Sequence, residues 1–346
     1  MSALKDELIA LIAQNGPLTI AQFMNVALND PRHGYYATRP ALGAEGDFIT
    51  APETSQMFGE LVGLWCAQSW LDIGAPNPVN LIELGPGRGV MMKDALRAAK
   101  ALDAYRDALA VTLVEASAPL IQEQARALAG HQIAWAPTLE AVREGPSVIV
   151  ANEFLDCMPI RQFVRTQKGW REKVVGVRDG ALAFGLVTDP LPHDEIIPAA
   201  LKSAPEGAIA EIAPALPSFI QTLAARLHAQ PSRALFFDYG AADTTGGDTF
   251  QALRRHASAD PLDAPGEADL TAHVDFGQVA HLAREAGLDV AGPISQAQFL
   301  LTLGLGERAE MLSKANPDRA ERIAREVHRL TDESAMGALF KVICLS

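Results

Sequence analysis

The stretch Val79-Asn80-Leu81-Ile82-Glu83-Leu84-Gly85-Pro86-Gly87-Arg88-Gly89 decides how the chain is read. Val79 to Leu84 is an apolar run of the length of a buried parallel strand. It gives way at once to Gly85, Gly87 and Gly89, and a helical pattern follows with Val90, Met91, Ala95, Leu96 and Ala99. Strand, glycine turn and helix make a nucleotide-type binding corner. Glycines let the backbone turn tightly and come close to a ligand, and the helix N-terminus presents free N–H groups. A plain strand–turn–helix corner is the alternative, because glycine-rich turns are common.

Spacing narrows the ligand. A dinucleotide fingerprint needs a third glycine three residues after the second. Counted from Gly85 that place holds Val90, and counted from Gly87 it holds Met92. A phosphate loop needs Gly-Lys-Ser/Thr after four spacers, and the stretch has no such triplet. What remains, Glu-x-Gly-x-Gly-x-Gly, resembles motif I of class I S-adenosylmethionine (SAM) methyltransferases. The resemblance implies that the turn Gly85, Pro86, Gly87, Gly89 passes under the amino-acid end of SAM and that Glu83 helps to hold its ammonium. Val111 to Val114 is a second apolar strand and ends in Glu115. A carboxylate there can accept both hydrogen bonds from a ribose diol. It can equally be a solvated strand-end acid.

The chain has 346 residues, tolerable as one core with insertions. Its 49% hydrophobic and 6% aromatic content fits an ordinary soluble α/β protein. No apolar run reaches the length of a membrane span, and the start lacks the basic and apolar regions of a signal peptide. Cys66, Cys157 and Cys344 are scattered. They read as reduced thiols and place the protein in the cytoplasm. No His, Cys or carboxylate cluster has metal spacing, so no metal is expected. A net charge of −13 argues against nucleic acid and favours a basic partner.

Helices are expected from Leu4 to about Asn15, from Ile20 to Leu28 capped by Thr19, and to about Leu71 from a capping box at Thr50-Ala51-Pro52-Glu53. Asp30 to Tyr36 reads as a turn and Arg39 to Asp47 as a loop. Residues 1–75 thus form a helical prefix, and residues 76–346 the core. Strands at Val79–Leu84, Val111–Val114, Gln132–Trp135 and Ser147–Ala151 alternate with helices near 91–101, 119–129 and 139–144. Such alternation implies a doubly wound, Rossmann-like α/β sheet. Paired hairpins over about 161–208 read as a β insertion. The sheet is expected to resume at Ile209–Ile212, then a helix at Pro217–Leu227 and a strand at Ala234–Tyr239. Gly240 to Asp269 reads as a long functional loop. Helices near 276–286 and 296–303 and from 309 to 330 follow, within a helical insertion of about 296–334, before a closing strand at Leu339–Leu345.

Ligands in open α/β sheets bind beyond the carboxyl ends of the strands. The fourth strand ends in Asn152-Glu153-Phe154-Leu155-Asp156. In a helical turn Glu153 and Asp156 would share a face, and two carboxylates suit a guanidinium. Alternatively Asn152 or Asp156 caps a turn and Glu153 is solvated. The fifth strand brings Asp238 and Tyr239 to the same rim. Asp269 to Phe276 alternates, so an extended chain puts Thr271, His273 and Asp275 on one face. Asp275 also fits a capping box for the next helix, and His273 a core histidine.

Taken together, Gly34-Tyr35-Tyr36, the run from Gly46 to Gly59, Glu83 to Gly89, Asn152 to Pro159, Phe237 to Gly240 and Asp269 to Phe276 resemble the MidA-type methyltransferase family, which includes the mitochondrial complex I assembly factor. The resemblance covers nearly the whole chain. It implies SAM as cofactor and protein arginine methylation, with a complex I subunit as the target in mitochondria. On that reading Glu153 orients the guanidinium and helps to remove its proton, with Asp156 as partner, and Asn152, Asp238 and His273 complete the catalytic candidates. Tyr35, Tyr36 and Phe48 would wall the transfer site or simply pack the prefix, with Tyr239 and Asp275 as further substrate contacts. Two rivals remain: a SAM-binding assembly chaperone without transfer, and a nicotinamide oxidoreductase, against which the missing third glycine speaks.

Overall fold

The computed structural model describes residues 3–38, 50–254 and 257–346. Phe48 and the expected loop Arg39–Asp47 lie outside the described residues. By contact the chain divides into two units, each assembled from separated segments. One comprises Ile49–Phe154, Ser218–Ala242 and Val279–Ser346, and the other Met1–Phe48, Leu155–Pro217 and Asp243–Gln278. The helical prefix, 1–75, is divided between them.

The first unit is built on a sheet of β1 (Val79–Leu84), β2 (Leu109–Val114), β3 (Ile133–Ala136), β4 (Ser147–Asn152), β5 (Ser232–Ala241), β6 (Val290–Ser295) and β7 (Phe340–Leu345). Their order across the sheet is β3-β2-β1-β4-β5-β7-β6. β1 to β5 pair in parallel, and β7 is antiparallel to both neighbours. The chain starts in the middle at β1, steps outward to β3 and returns on the other side at β4. That reversal beside β1 is the switch point at which open α/β sheets bind ligands, and the order is the doubly wound one expected. β1 is buried along its whole length, which is why it reads as a mainly apolar run, with Asn80 and Glu83 as its two buried polar residues.

Helix α1 (Gln56–Asp72), α2 (Val90–Ala99) and α3 (Ala118–Ala127) belong to this unit. Met91, Met92, Ala95, Leu96 and Ala99 make the buried stripe of α2. The Phe237 ring on β5 meets Phe58 of α1 and Phe299 edge-on, at centroid distances of 5.0 and 5.2 Å. α1 begins later than expected. Thr50 makes no side-chain cap; a short turn, Ala51–Thr54, ends at Ser55, whose side chain accepts the Met57 N–H and caps α1. The expected helix from 309 to 330 is two, Leu305–Ala315 and Ala320–Thr331, broken at Asn316-Pro317. The stretch 139–144 holds only the 3-10 turn Leu139–Ala141.

In the second unit the hairpin strands Arg161–Thr166, Gly169–Arg178 and Ala181–Leu186 form an antiparallel sheet. Ile209–Ile212 does not resume the central sheet; it pairs with Arg161–Thr166. Leu18–Thr19 pairs with Gly169–Arg178 on the other side. Thr19 then starts helix Ile20–Asn29 with a reciprocal capping box to Gln22. The expected loop 240–269 carries Gln251–Arg254 and Ala257–Ala259, which join Asp269–Thr271 in a three-stranded sheet.

Candidate cofactor and active site

The glycine corner is made by conformations that only glycine adopts readily. Gly85, Gly87 and Gly89 have φ of +60°, +53° and +77°. A Cβ on Gly85 would also come within 3.1 Å of the Phe154 ring. The turn after β1 therefore sits directly against the turn after β4. Gly89 caps α2 without a side chain. Its missing function is supplied from the strand: Glu83 accepts the Met92 backbone N–H in the first turn of α2.

Glu83 is 2% exposed. Burial raises its carboxyl from 4.5 to about 8, and the Met92 N–H offsets only part of that. Its second oxygen, Oε2, is buried and has no partner among the described residues. Asn152 ends β4 in the same state: its Nδ2 donates to Glu153 Oε1 at 2.9 Å, while Oδ1 is buried without a partner. Glu53 repeats the pattern. Arg88 approaches its Oε1 at 3.5 Å and reaches Glu123 at 3.3 Å on its other side, yet Glu53 Oε2 is buried and has no partner among the described residues. Burial raises the Glu53 carboxyl, and Arg88 opposes the rise. Buried acceptors that lack donors are costly. Donors supplied by a polar, cationic ligand would satisfy them.

Glu115 stands just beyond β2. Its Oε1 accepts the Ser117 N–H at 2.8 Å and its Oε2 accepts from Gln124 at 3.2 Å. Burial raises its carboxyl, against the lowering effect of those hydrogen bonds. Gln124 was not among the expected site residues. Its signal was a glutamine on the apolar stripe of α3, four residues from Leu120 and four from Leu128, both buried.

After β4 the chain does not form the helical turn expected to align Glu153 with Asp156. Glu153 has φ of +52°, rare for a residue with a side chain. Its N–H donates to the Phe237 carbonyl at 2.9 Å. Asp238, fully buried, accepts the Phe154 N–H at 3.1 Å and the Tyr239 N–H at 3.0 Å. Its carboxylate thereby fixes the backbone on which Glu153 rides. Tyr239 does not stand at an open rim; it is 4% exposed and packs on Phe340, centroids 5.4 Å apart.

The remaining expected residues lie in the second unit. Asp156 is buried, and its carbonyl accepts the Ala272 N–H at 3.0 Å. Tyr35 is buried in the core, with Tyr36 edge-on to it at 5.4 Å. The Tyr36 hydroxyl donates to Asp269 at 3.2 Å, and burial, reinforced by Asp269, raises its pKa well above the ordinary tyrosine value. Asp275 accepts the Gln278 N–H and the Thr244 hydroxyl, both at 2.9 Å. That is the capping alternative. The His273 N–H donates to the Thr249 hydroxyl at 2.9 Å. Among the described residues no group of His, Cys, Asp or Glu is arranged to hold a metal.

A family model described as S-adenosyl-L-methionine-dependent methyltransferase matches residues 61–294. The chain belongs to that family. It is 35% identical to the zebrafish (Danio rerio) "Protein arginine methyltransferase NDUFAF7, mitochondrial", over 96% of this chain and 84% of that one. The human protein of the same name is 34% identical, over 96% and 81%. A Burkholderia thailandensis protein crystallised with S-adenosyl-homocysteine superposes with a TM-score of 0.87 at 30% identity, covering 99% of this chain and 92% of that one. The methyltransferase has the class I fold and uses SAM. The cytoplasmic placement is overturned: these relatives are named as mitochondrial. Reduced thiols speak for a reducing compartment, and the cytoplasm is only one such compartment.

Proposed function

We propose that this methyltransferase transfers the SAM methyl group to an arginine guanidinium of a protein. The observation that carries the reading is Glu153, held at φ +52° at the end of β4 with Asn152 on its carboxylate. Non-glycine residues in that conformation cluster at functional sites. The relatives named as protein arginine methyltransferases support the acceptor. The resemblance to the complex I assembly factor extends it to a subunit of respiratory complex I. The net charge of −13 suits a basic acceptor.

The cofactor's part is an activated methyl on a sulfonium. The chain's part is alignment and charge. Glu83 takes the ammonium of SAM, and Glu115 the ribose diol. The Asn152 carbonyl offers an acceptor at the switch point. A guanidinium is protonated in water, so the attacking nitrogen needs a carboxylate that orients it and accepts a proton as the bond forms. Glu153 does this. Asp238 touches neither ligand; it keeps the Glu153 backbone in place.

Glu153→Gln keeps the shape and removes the base. Labelled methyl transfer to an arginine-bearing protein should fall by roughly 100-fold or more, the usual scale for a general base. SAM affinity should barely change. Full transfer by this variant would remove Glu153 from the mechanism, and label on a residue other than arginine would remove the acceptor.

A further inference from the structure

The geometry points to Gln124 as the positioning residue of the cofactor corner: one carboxamide on α3 holds both the glycine turn after β1 and the acid after β2. A carboxamide offers two N–H donors and a carbonyl acceptor. Here Nε2 donates to the Gly87 carbonyl at 2.7 Å and to Glu115 Oε2 at 3.2 Å. Oε1 accepts the Trp135 indole N–H from β3 at 2.8 Å. The side chain is fully buried, so water does not substitute for any of the three bonds.

The consequence for Glu115 is orientation. The carboxylate has internal donors on both oxygens, Ser117 N–H on Oε1 and Gln124 on Oε2, and the Ala116 N–H adds to them. Lone-pair capacity remains for a ribose hydroxyl. The plane of the acid is set before the cofactor arrives, so little is lost in ordering it. The same carboxamide fixes the Gly87 carbonyl and with it the plane of one peptide in the turn. Trp135 holds the carboxamide itself, preventing it from rotating its oxygen towards Glu115. This inference rests on the reading that Glu115 takes the ribose diol.

The test is S-adenosyl-homocysteine binding by titration calorimetry, with thermal unfolding measured alongside. Gln124→Met keeps the length and loses both donors and the acceptor. Gln124→Glu keeps the acceptor for Trp135 but turns a carboxyl on Glu115 and the Gly87 carbonyl. Positioning predicts that both variants weaken binding by about tenfold or more, and the Glu variant the more severely. A role confined to packing against Trp135 predicts the opposite order, which would overturn the proposal. So would wild-type affinity in Gln124→Glu, which remains a test if the Met variant does not fold. In a Glu115→Ala background Gln124→Met should lose much of its effect. Undiminished, additive losses would overturn the proposal while leaving the ribose reading intact. Unchanged affinity in Glu115→Ala alone would remove the ribose reading, and the proposal with it.

Discussion

At the scale of single residues, the corner holds a buried acid with one oxygen that no described residue pairs. Glu83 has a folded-state pKa of about 8, raised by burial from 4.5. The folded chain therefore holds this proton more tightly than the unfolded chain. The contribution of Glu83 to unliganded stability declines as pH rises from about 4.5 towards 8 and is level above that. An ammonium ligand reverses the preference, because only the carboxylate pairs with it. Below pH 8 SAM binding should release a proton, and affinity should climb with pH by up to about tenfold per unit. Calorimetry in buffers of different ionisation enthalpy measures that proton, and Glu83→Gln should abolish the dependence. Wild-type affinity that is flat across the acid range would show that Glu83 does not change its ionisation on binding. Gly87 answers to sterics instead. At φ +53° a valine is strained, by about 1–2 kcal/mol, and its side chain would also stand in the turn. Gly87→Val should lose S-adenosyl-homocysteine binding while keeping a cooperative unfolding transition; unchanged affinity would mean that the turn is not the cofactor's seat.

At the scale of elements, legibility followed burial. β1, β2 and β4 are interior parallel strands, so each reads as an apolar run, and the glycines mark where the first one turns. β6 was invisible because Gly292-Pro293 sits inside it, where the register with β7 slips between Ala291 and Ile294. Gln251–Arg254 and Ala257–Ala259 lie in a stretch poor in apolar residues, so no period announces them. Ile209–Ile212 was recognisable as a strand, but its partner was not, since local pattern says nothing about which sheet a strand joins. The site divides likewise. The acids at strand ends follow from topology, whereas the left-handed Glu153 has no local signature and defeated the three-apart argument linking it to Asp156. Thr50 looked able to start the helix, but contacts place the cap at Ser55. Ser55 Oγ accepts the Met57 N–H at 3.2 Å and donates to Glu326 at 2.8 Å. Ser55→Ala should cost about 1 kcal/mol in denaturant unfolding, and Thr50→Ala much less. Equal losses would contradict the placement of the cap.

At the scale of the whole molecule, each unit draws on three separated segments of chain, so neither is available as a continuous fragment. β7, residues 340–345, is the last strand in sequence and an interior strand of the sheet, flanked by β5 and β6. Synthesis is vectorial. The glycine corner leaves the ribosome early, but the sheet that backs it stays split until its final strand follows. During that interval β5 and β6 expose unpaired edges, the state in which nascent chains aggregate. Cofactor capture should accordingly be a late event in the life of each molecule. A chain ending at residue 339 should fail to retain S-adenosyl-homocysteine and should be recovered in aggregates, although every cofactor residue named above is present in it. Retention by such a chain would mean that the corner assembles without its seventh strand.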